Sequence, residues 1–350
     1  MFSKLKYDDK TNRTSFEISE VDISIVNGVR RIILTNIPIL GFRASEVNII
    51  KNTGPLHNEF MSHRISLLPI HYSSDELDNF IPETADEYEL NVSNTNSADV
   101  LDITTHDFKT KDGSSSVSKN KNHKELFPVH PISKMPILIT RLRPNEELHL
   151  IAKPVKSTAV ESSSFAPVSL CTIQFIQDPN KTKHLTEILD KERAYCTNEY
   201  GDPNNILFEL EPETGLSPKY IVDKAFQILI DKVNGVIDKL SSDDHPDVKI
   251  KDIETESGNG VEIVFNNEDD TLGNLLQSML HNHFVRSEEK SKTIKYVGYV
   301  CPHPLETTMI LNVRGPSSDT NYIEEVVRCC REEILPKLTN IRALWNQFAK

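Results

Sequence analysis

The sequence predicts an α+β chain of two modules, the first interrupted by a β-rich insert. Three observations lead there. Amphipathic helices over about 22–36 and 218–240 each lie beside a strand candidate, Thr14 to Ile18 and Ile206 to Leu210. Neither half alone can bury its apolar stripe, so residues 1–45 and 206–240 read as one discontinuous domain. Residues 46–205, between the halves, show short strand candidates and long loops. After the polar run Ser241 to Asp247, residues 248–350 open with a hairpin and a leucine-rich helix and close on a long helical segment. A chain of 350 residues with 37% hydrophobic composition exceeds what one core usually supports and suffices for two or three folded units.

Each element has its own signal. From Asp22 or Ser24 to Asn36, Ile25, Val26, Val29, Ile32, Ile33 and Ile37 form a stripe wide enough to face more than one neighbour, and Pro38 ends the helix. In the insert, strands are expected at Val47 to Ile50, Tyr88 to Val92, Leu138 to Leu142 and Leu148 to Ala152, the last two joined by a turn at Pro144-Asn145. Lys111 to His123 is polar, serine-rich and has little to bury, the composition of a flexible surface loop. Ser217-Pro218 is an N-cap followed by proline at the first helical position, and Val222, Ala225, Leu229, Val233, Val236 and Leu240 continue the stripe. The strands Val248 to Ile253 and Val261 to Phe265 read as a hairpin closed at Gly258-Asn259-Gly260, because an Asn-Gly step suits a tight primed turn. Thr271 is expected to cap the next helix, with Asp269 and Asp270 at its positive end and Leu272, Leu275, Leu276, Met279 and Leu280 on one face. Gly273 costs that helix about 0.5–1 kcal/mol relative to alanine, which implies close packing there. Strands Tyr296 to Val300 and Met309 to Val313 precede a helical segment from Asp319 to Phe348, kinked at Pro336.

Composition narrows the function. The net charge is −13, but residues 1–50 carry +1 and residues 248–350 carry −3, leaving −11 in the middle. A surface that grips DNA directly needs a basic stripe, and none is visible; near-neutral ends suit protein partners. The five scattered cysteines lack any CxxC and suit reduced thiols in an intracellular setting. No apolar run reaches the ~18–20 residues of a bilayer span, and the start MFSKLKYDDK lacks the apolar centre of a signal peptide. No GxGxxG or GxxxxGK[ST] loop is present to cradle a phosphate.

Two motifs carry a family resemblance. NEDDTLGNLL (267–276) followed by GYVCPHPLE (298–306) resembles the smaller alpha-like subunit of multisubunit RNA polymerases, subunit L of archaea. IVNGVRRIILTNIP (25–38) and NTGPLHNEFMSHRISLLP (52–69) resemble the larger partner: archaeal D, the eukaryotic third-largest subunit or bacterial alpha. The match loosens in PILITRLRPNEELHLIAKPVKSTAVESSSFAPVSL, where Phe165 and Ala166 replace the family's usual Trp-Ser and the preceding loop lacks its glycine and histidine. The order implies a natural fusion, an alpha-like dimerisation fold with a β-rich insert (46–205), a junction (241–247) and an L-type domain (248–350). Fusions of this kind resemble those of large DNA viruses of eukaryotes, which implies the virion and the host cytoplasm or nucleus as locations.

The resemblance also assigns roles. On periodicity alone the helices over 25–37 and 272–280 are equally the faces of two separate cores. In the family they pack together, and the matching positions are Val26, Val29, Ile33, Leu272, Leu275 and Leu276. The junction spans about 15 Å, so the pairing would be intramolecular at millimolar effective concentration. Family arginines at the positions of Arg30 and Arg31 help dock the second-largest polymerase subunit, and a guanidinium suits bidentate recognition of carboxylates. His57, Glu59, His63 and Arg64 are further docking candidates. The implied partners are the largest and second-largest subunits and other small subunits of a DNA-directed RNA polymerase, with DNA reached only through the complex, no membrane and no homodimer.

Enzyme readings have less support. His57-Asn58-Glu59 has the His-x-Glu spacing of zinc deaminases but lacks the required Pro-Cys-x-x-Cys. His281 and His283 point to different helix faces, and Asp269-Asp270 has no third carboxylate for a magnesium site. The family's cysteine-ligated metal or iron–sulfur site does not carry over, because no cysteine precedes Cys171. The expectation is a non-catalytic assembly subunit with no cofactor and no metal. The alternatives are a stand-alone scaffold and a metal-dependent hydrolase using His57 and Glu59.

Overall fold

The computed structural model describes residues 1–350 except 9, 96–98, 112–125, 130–132, 243–244, 256–257, 287–292, 317–319 and 350. The serine-rich segment expected to be a flexible loop lies outside the described residues from 112 onward, as do two positions of the junction.

Strands β1 (Phe2–Asp8) and β2 (Arg13–Ser19) form a hairpin that leads into helix α1 (Ile23–Thr35). The Asp22 carboxylate caps α1 by accepting from Ser24 N–H at 2.8 Å. The insert follows: β3 (Ile39–Asn52), α2 (Asn58–Ser66), β4 (Tyr88–Ser93), β5 (Leu101–Thr104), β6 (Lys109–Thr110), β7 (Leu138–Leu142) and β8 (Glu147–Ser157). Then come β9 (Val168–Phe175), β10 (Asn205–Pro212) and the long helix α3 (Pro218–Ser241), capped by Ser217. The last third contains β11 (Val248–Thr255), β12 (Gly258–Asn266), α4 (Asp270–His281), β13 (Tyr296–Val300), β14 (Thr308–Gly315), α5 (Tyr322–Cys329) and α6 (Leu335–Phe348).

Sheet order exposes an internal repeat. One sheet runs β1-β2-β10-β9 and another β11-β12-β14-β13, antiparallel throughout. Each module is therefore a hairpin, a helix, a second strand pair and a closing helix, and the insert enters the first module between α1 and β9. Strand β9 lies inside the span 46–205 yet pairs with β10, Leu210 opposite Cys171 and Phe208 opposite Ile173. The insert makes its own sheet, β3-β8-β4-β6, beside the β5-β7 pair.

Two cores follow from these layers. The insert core gathers Phe42, Met61, Ile65, Leu68, Phe108, Phe127 and Leu150 among others. The larger core is continuous across both modules, from Phe16 and the α1 stripe through α3 to Leu272, Leu311 and Trp345. At one end Trp345 of α6 sits 4.7 Å from the Phe16 ring and 5.4 Å from Phe2, centroid to centroid. Its indole N–H donates to the Lys219 carbonyl at 3.1 Å, so the last helix closes the first sheet.

Two local expectations are corrected, and a third takes a specific form. The Asn-Gly step is not the hairpin turn: Asn259 and Gly260 lie within β12, opposite Gly315 and Arg314 of β14. The β11–β12 connection falls at 256–257, outside the described residues. Glycine is required at 260 by close approach, since a Cβ there would meet the Val313 carbonyl oxygen and lie 2.7 Å from Arg314 Cγ. Helix α4 is capped by Asp269, whose carboxylate accepts from Thr271 N–H at 3.0 Å and from the Thr271 hydroxyl at 3.1 Å; the helix starts at Asp270, so Thr271 already lies in its first turn and its hydroxyl acts as a donor instead of a cap. The final rod is interrupted by a π turn at Cys330–Ile334, immediately before Pro336. Proline at the start of α6 has no N–H to continue the preceding ladder, and the wide turn absorbs the break.

Candidate assembly interface

Helix α1 is short and unusually enclosed. Ser24, Ile25, Val26, Gly28, Val29, Ile32 and Ile33 are all buried, because α3 and α4 both pack on it. Gly28 marks the meeting point: a Cβ there would lie 3.8 Å from Leu229 of α3 and 4.0 Å from the Thr271 methyl of α4. Val26, Val29, Ile33, Leu272, Leu275 and Leu276 are buried together in the larger core. On the far side of α4, Gly273 faces Tyr299 of β13, whose backbone N–H donates to Gln277 Oε1 at 3.0 Å.

Polar contacts set the register of this packing. The Asp22 carboxylate, besides capping α1, accepts from Ser278 Oγ at 3.1 Å and from Asn282 Nδ2 at 2.7 Å, near the end of α4. From the last turns of α1, Arg31 Nε donates to Thr271 Oγ1 at 2.9 Å, and its Nη2 lies 3.6 Å from Asp269. The helices are thus antiparallel, each start beside the other's end, which sets the positive pole of α1 near the negative pole of α4. Glu268 lies between two lysines of α3, 2.7 Å from Lys232 and 3.5 Å from Lys239.

Two further contacts join the modules. Arg342 of α6 donates bidentately to Asp223 of α3, at 2.7 and 2.9 Å, and Asn346 donates to the same carboxylate at 2.6 Å. Burial alone pushes the Asp223 carboxyl up, but the hydrogen bonds from Arg342 and Asn346 outweigh it and hold the group below the usual carboxylate range. After α4, Arg286 pairs with Asp202 and stacks over the Tyr200 ring at 5.0 Å. These partners are 84 to 123 positions apart in the chain, so periodicity could not have found them. The only available signal was charge placed beside an apolar stripe.

The remaining site candidates take several positions. Arg30 Nε donates to Asn27 Oδ1 at 3.0 Å on its own helix. His57 caps α2, with its Nδ1 accepting from Glu59 N–H at 3.4 Å. Arg64 reaches off α2 to donate to the Ile139 and Leu138 carbonyls, both at 2.9 Å, tying α2 to β7. His57, Glu59, His63 and Arg64 all lie on the exposed side of α2, with Phe60 and Leu67 among them. Arg31 and Arg64 therefore have internal partners. Among the described residues, no three His, Cys, Asp or Glu side chains converge as metal ligands, and no helix is long and apolar enough to cross a membrane.

Comparison with known proteins matches both modules. Residues 15–233 and residues 260–338 each match a family model described as the RNA polymerase Rpb3/Rpb11 dimerisation domain. Human DNA-directed RNA polymerases I and III subunit RPAC1 is 26% identical over 185 residues, 48% of this chain and 52% of that protein. The fission yeast Schizosaccharomyces pombe RNA polymerase II subunit RPB3 is 27% identical over 188 residues, 49% of this chain and 59% of its own. In Arabidopsis thaliana, subunit 3 of RNA polymerases II, IV and V is 26% identical over 201 residues, 51% and 58% of the two chains. The chain thus spans between half and three fifths of the length of these relatives.

Proposed function

The chain belongs to the RNA polymerase Rpb3/Rpb11 dimerisation family, and from that premise we propose that it is a non-catalytic assembly subunit of a multisubunit DNA-directed RNA polymerase. In this reading it is a fusion of the larger and smaller alpha-like subunits, folded into an intramolecular heterodimer. The larger module comprises residues 1–45 and 206–240, with 46–205 as insert, 241–247 as junction and 248–350 as the smaller module. The pairing of β9 with β10 supports extending the larger module's sheet into the insert span. One observation carries the reading: the two regions that match the family separately share a single hydrophobic core, in which α1 packs antiparallel on α4.

The outer surface would then be the platform for the largest and second-largest subunits and for other small subunits. Arg30 and the exposed face of α2, with His57, Glu59, His63 and Arg64, are the docking positions we assign. For Arg31 the internal contacts favour a role in holding α4, with docking as its second task. The resemblance to viral fusions supports the virion and the infected cell's cytoplasm or nucleus as locations. Affinity purification of the tagged chain from cells that express it, read by mass spectrometry, tests the assignment. Recovery of both large polymerase subunits in near-equal amounts is the expected result. A tagged chain recovered with no polymerase subunit would overturn it in favour of a stand-alone scaffold.

A further inference from the structure

We infer that Glu268, held between Lys232 and Lys239, is the residue that makes the larger module take the smaller one as its partner and that disfavours pairing of the larger module with itself; this rests on the heterodimer reading above. The carboxylate is 10% exposed, and the lysines are 20% and 19% exposed. Two ammonium groups seven residues apart lie on one face of α3 and converge on its two oxygens. Local backbone geometry aims the group. Asn267 adopts a left-handed conformation, φ 61°, which asparagine tolerates, and its N–H donates to the Thr307 carbonyl at 2.6 Å. The next residue then faces α3, while Asp269 turns back to cap α4.

The internal repeat supplies the specificity argument. Aligning the two modules on their helix caps, Asp22 and Asp269, puts Val21 where the other module has Glu268. If two larger modules met through the same faces, Lys232 and Lys239 would face valine where they now face Glu268. A desolvated cation without a partner is costly, so the lysines act against that pairing as much as they favour the correct one. Two smaller modules meeting the same way would set Glu268 in the place of Val21, near α6, whose Lys337 lines the same cavity as Val21 and Asp22, so the discrimination falls on the larger module. Unlike pairing is the arrangement that satisfies the α3 lysines, and a second ion pair between the modules, Asp223 with Arg342, lies nearer the start of α3.

The test uses the full chain with a protease site built into the junction, cut after purification, so that pairing is read without the tether. Native mass spectrometry and dilution in near-physiological salt give the composition and dissociation constant of the nicked complex. The wild-type nicked chain is expected to stay a one-to-one unlike pair. Glu268→Lys should weaken it by about tenfold to a hundredfold and Glu268→Gln by about tenfold, and Lys232→Glu with Lys239→Glu should restore the Glu268→Lys chain. Lys232→Met with Lys239→Met should let like-with-like dimers of the larger fragment appear. If Glu268→Lys does not fold by circular dichroism, the isosteric Glu268→Gln carries the measurement. Dissociation constants unchanged by either Glu268 variant overturn the inference and leave the heterodimer reading standing. A wild-type nicked chain whose fragments separate and do not rejoin defeats that reading itself.

Discussion

Replacing Trp345 with alanine tests whether the two modules form one cooperative body. This is the chain's single tryptophan. It is 0% exposed, contacts Phe2, Phe16 and Phe348, and bonds the Lys219 carbonyl. Truncating a fully enclosed aromatic to alanine costs about 3–5 kcal/mol, and the lost N–H bond adds about 1 kcal/mol. Against a typical stability of about 5–15 kcal/mol, a loss of about 4–6 kcal/mol is large. Because the ring seals α6 onto the first sheet, the loss should be felt by the whole larger core. Urea unfolding followed by far-ultraviolet circular dichroism should show a lower midpoint with the slope unchanged. In the wild type, tryptophan fluorescence should trace the same transition as the larger core's circular dichroism. A Trp345→Ala cost below about 1 kcal/mol, or a fluorescence transition that precedes loss of secondary structure, would refute the single-core argument.

Other expectations are more local. Gly273→Ala places a Cβ against the Tyr299 ring, with ring atoms at 2.9 Å, and should destabilise by about 1–3 kcal/mol through overpacking. Gly28→Ala meets only ordinary van der Waals neighbours and should be neutral or stabilise by up to about 1 kcal/mol through helix propensity; in thermal melts Gly273→Ala should fall below the wild type and Gly28→Ala should not. The Asp223 carboxyl is depressed in the folded chain, so its contribution is present above the unfolded value near pH 4 and is lost as pH falls through the folded value. Urea midpoints of Asp223→Asn should accordingly change less than those of the wild type on acidification below about pH 4. The Cys301 thiol is pushed up to about 11 by burial and then by its hydrogen bond and charge interaction with Asp270. It should label with iodoacetamide at neutral pH more slowly than free cysteine, and Asp270→Asn should speed it.

Much of the fold was legible where one residue type does one job. The α1 and α3 stripes, the Ser217-Pro218 start and the leucine face of α4 appear as the periodicity suggested, because burial against a neighbouring layer imposes spacing whatever that neighbour is. The membership of β9 was not legible, since a strand's hydrophobic alternation does not say which strand it pairs with across an intervening insert. Asn259-Gly260 misled for a related reason. The same lack of a side chain that permits a primed turn also permits a backbone to pass close beside a strand. The apolar half of the interface was readable residue by residue. Its polar half was not, because Asp22 with Ser278, Arg31 with Thr271 and Glu268 with the α3 lysines meet only after the chain has folded.

Strand β3 belongs to both cores at once. Ile39 and Leu40 lie in the core shared by the modules, Phe42 lies in the insert core, and Gly41 between them leaves room for the Phe165 ring, which a Cβ would meet at 3.0 Å. No slack linker separates the lobes at this point. A displacement of the insert would therefore reach the helix-pairing layer through β3 and through β8, which pairs along it from Ile39 to Asn52.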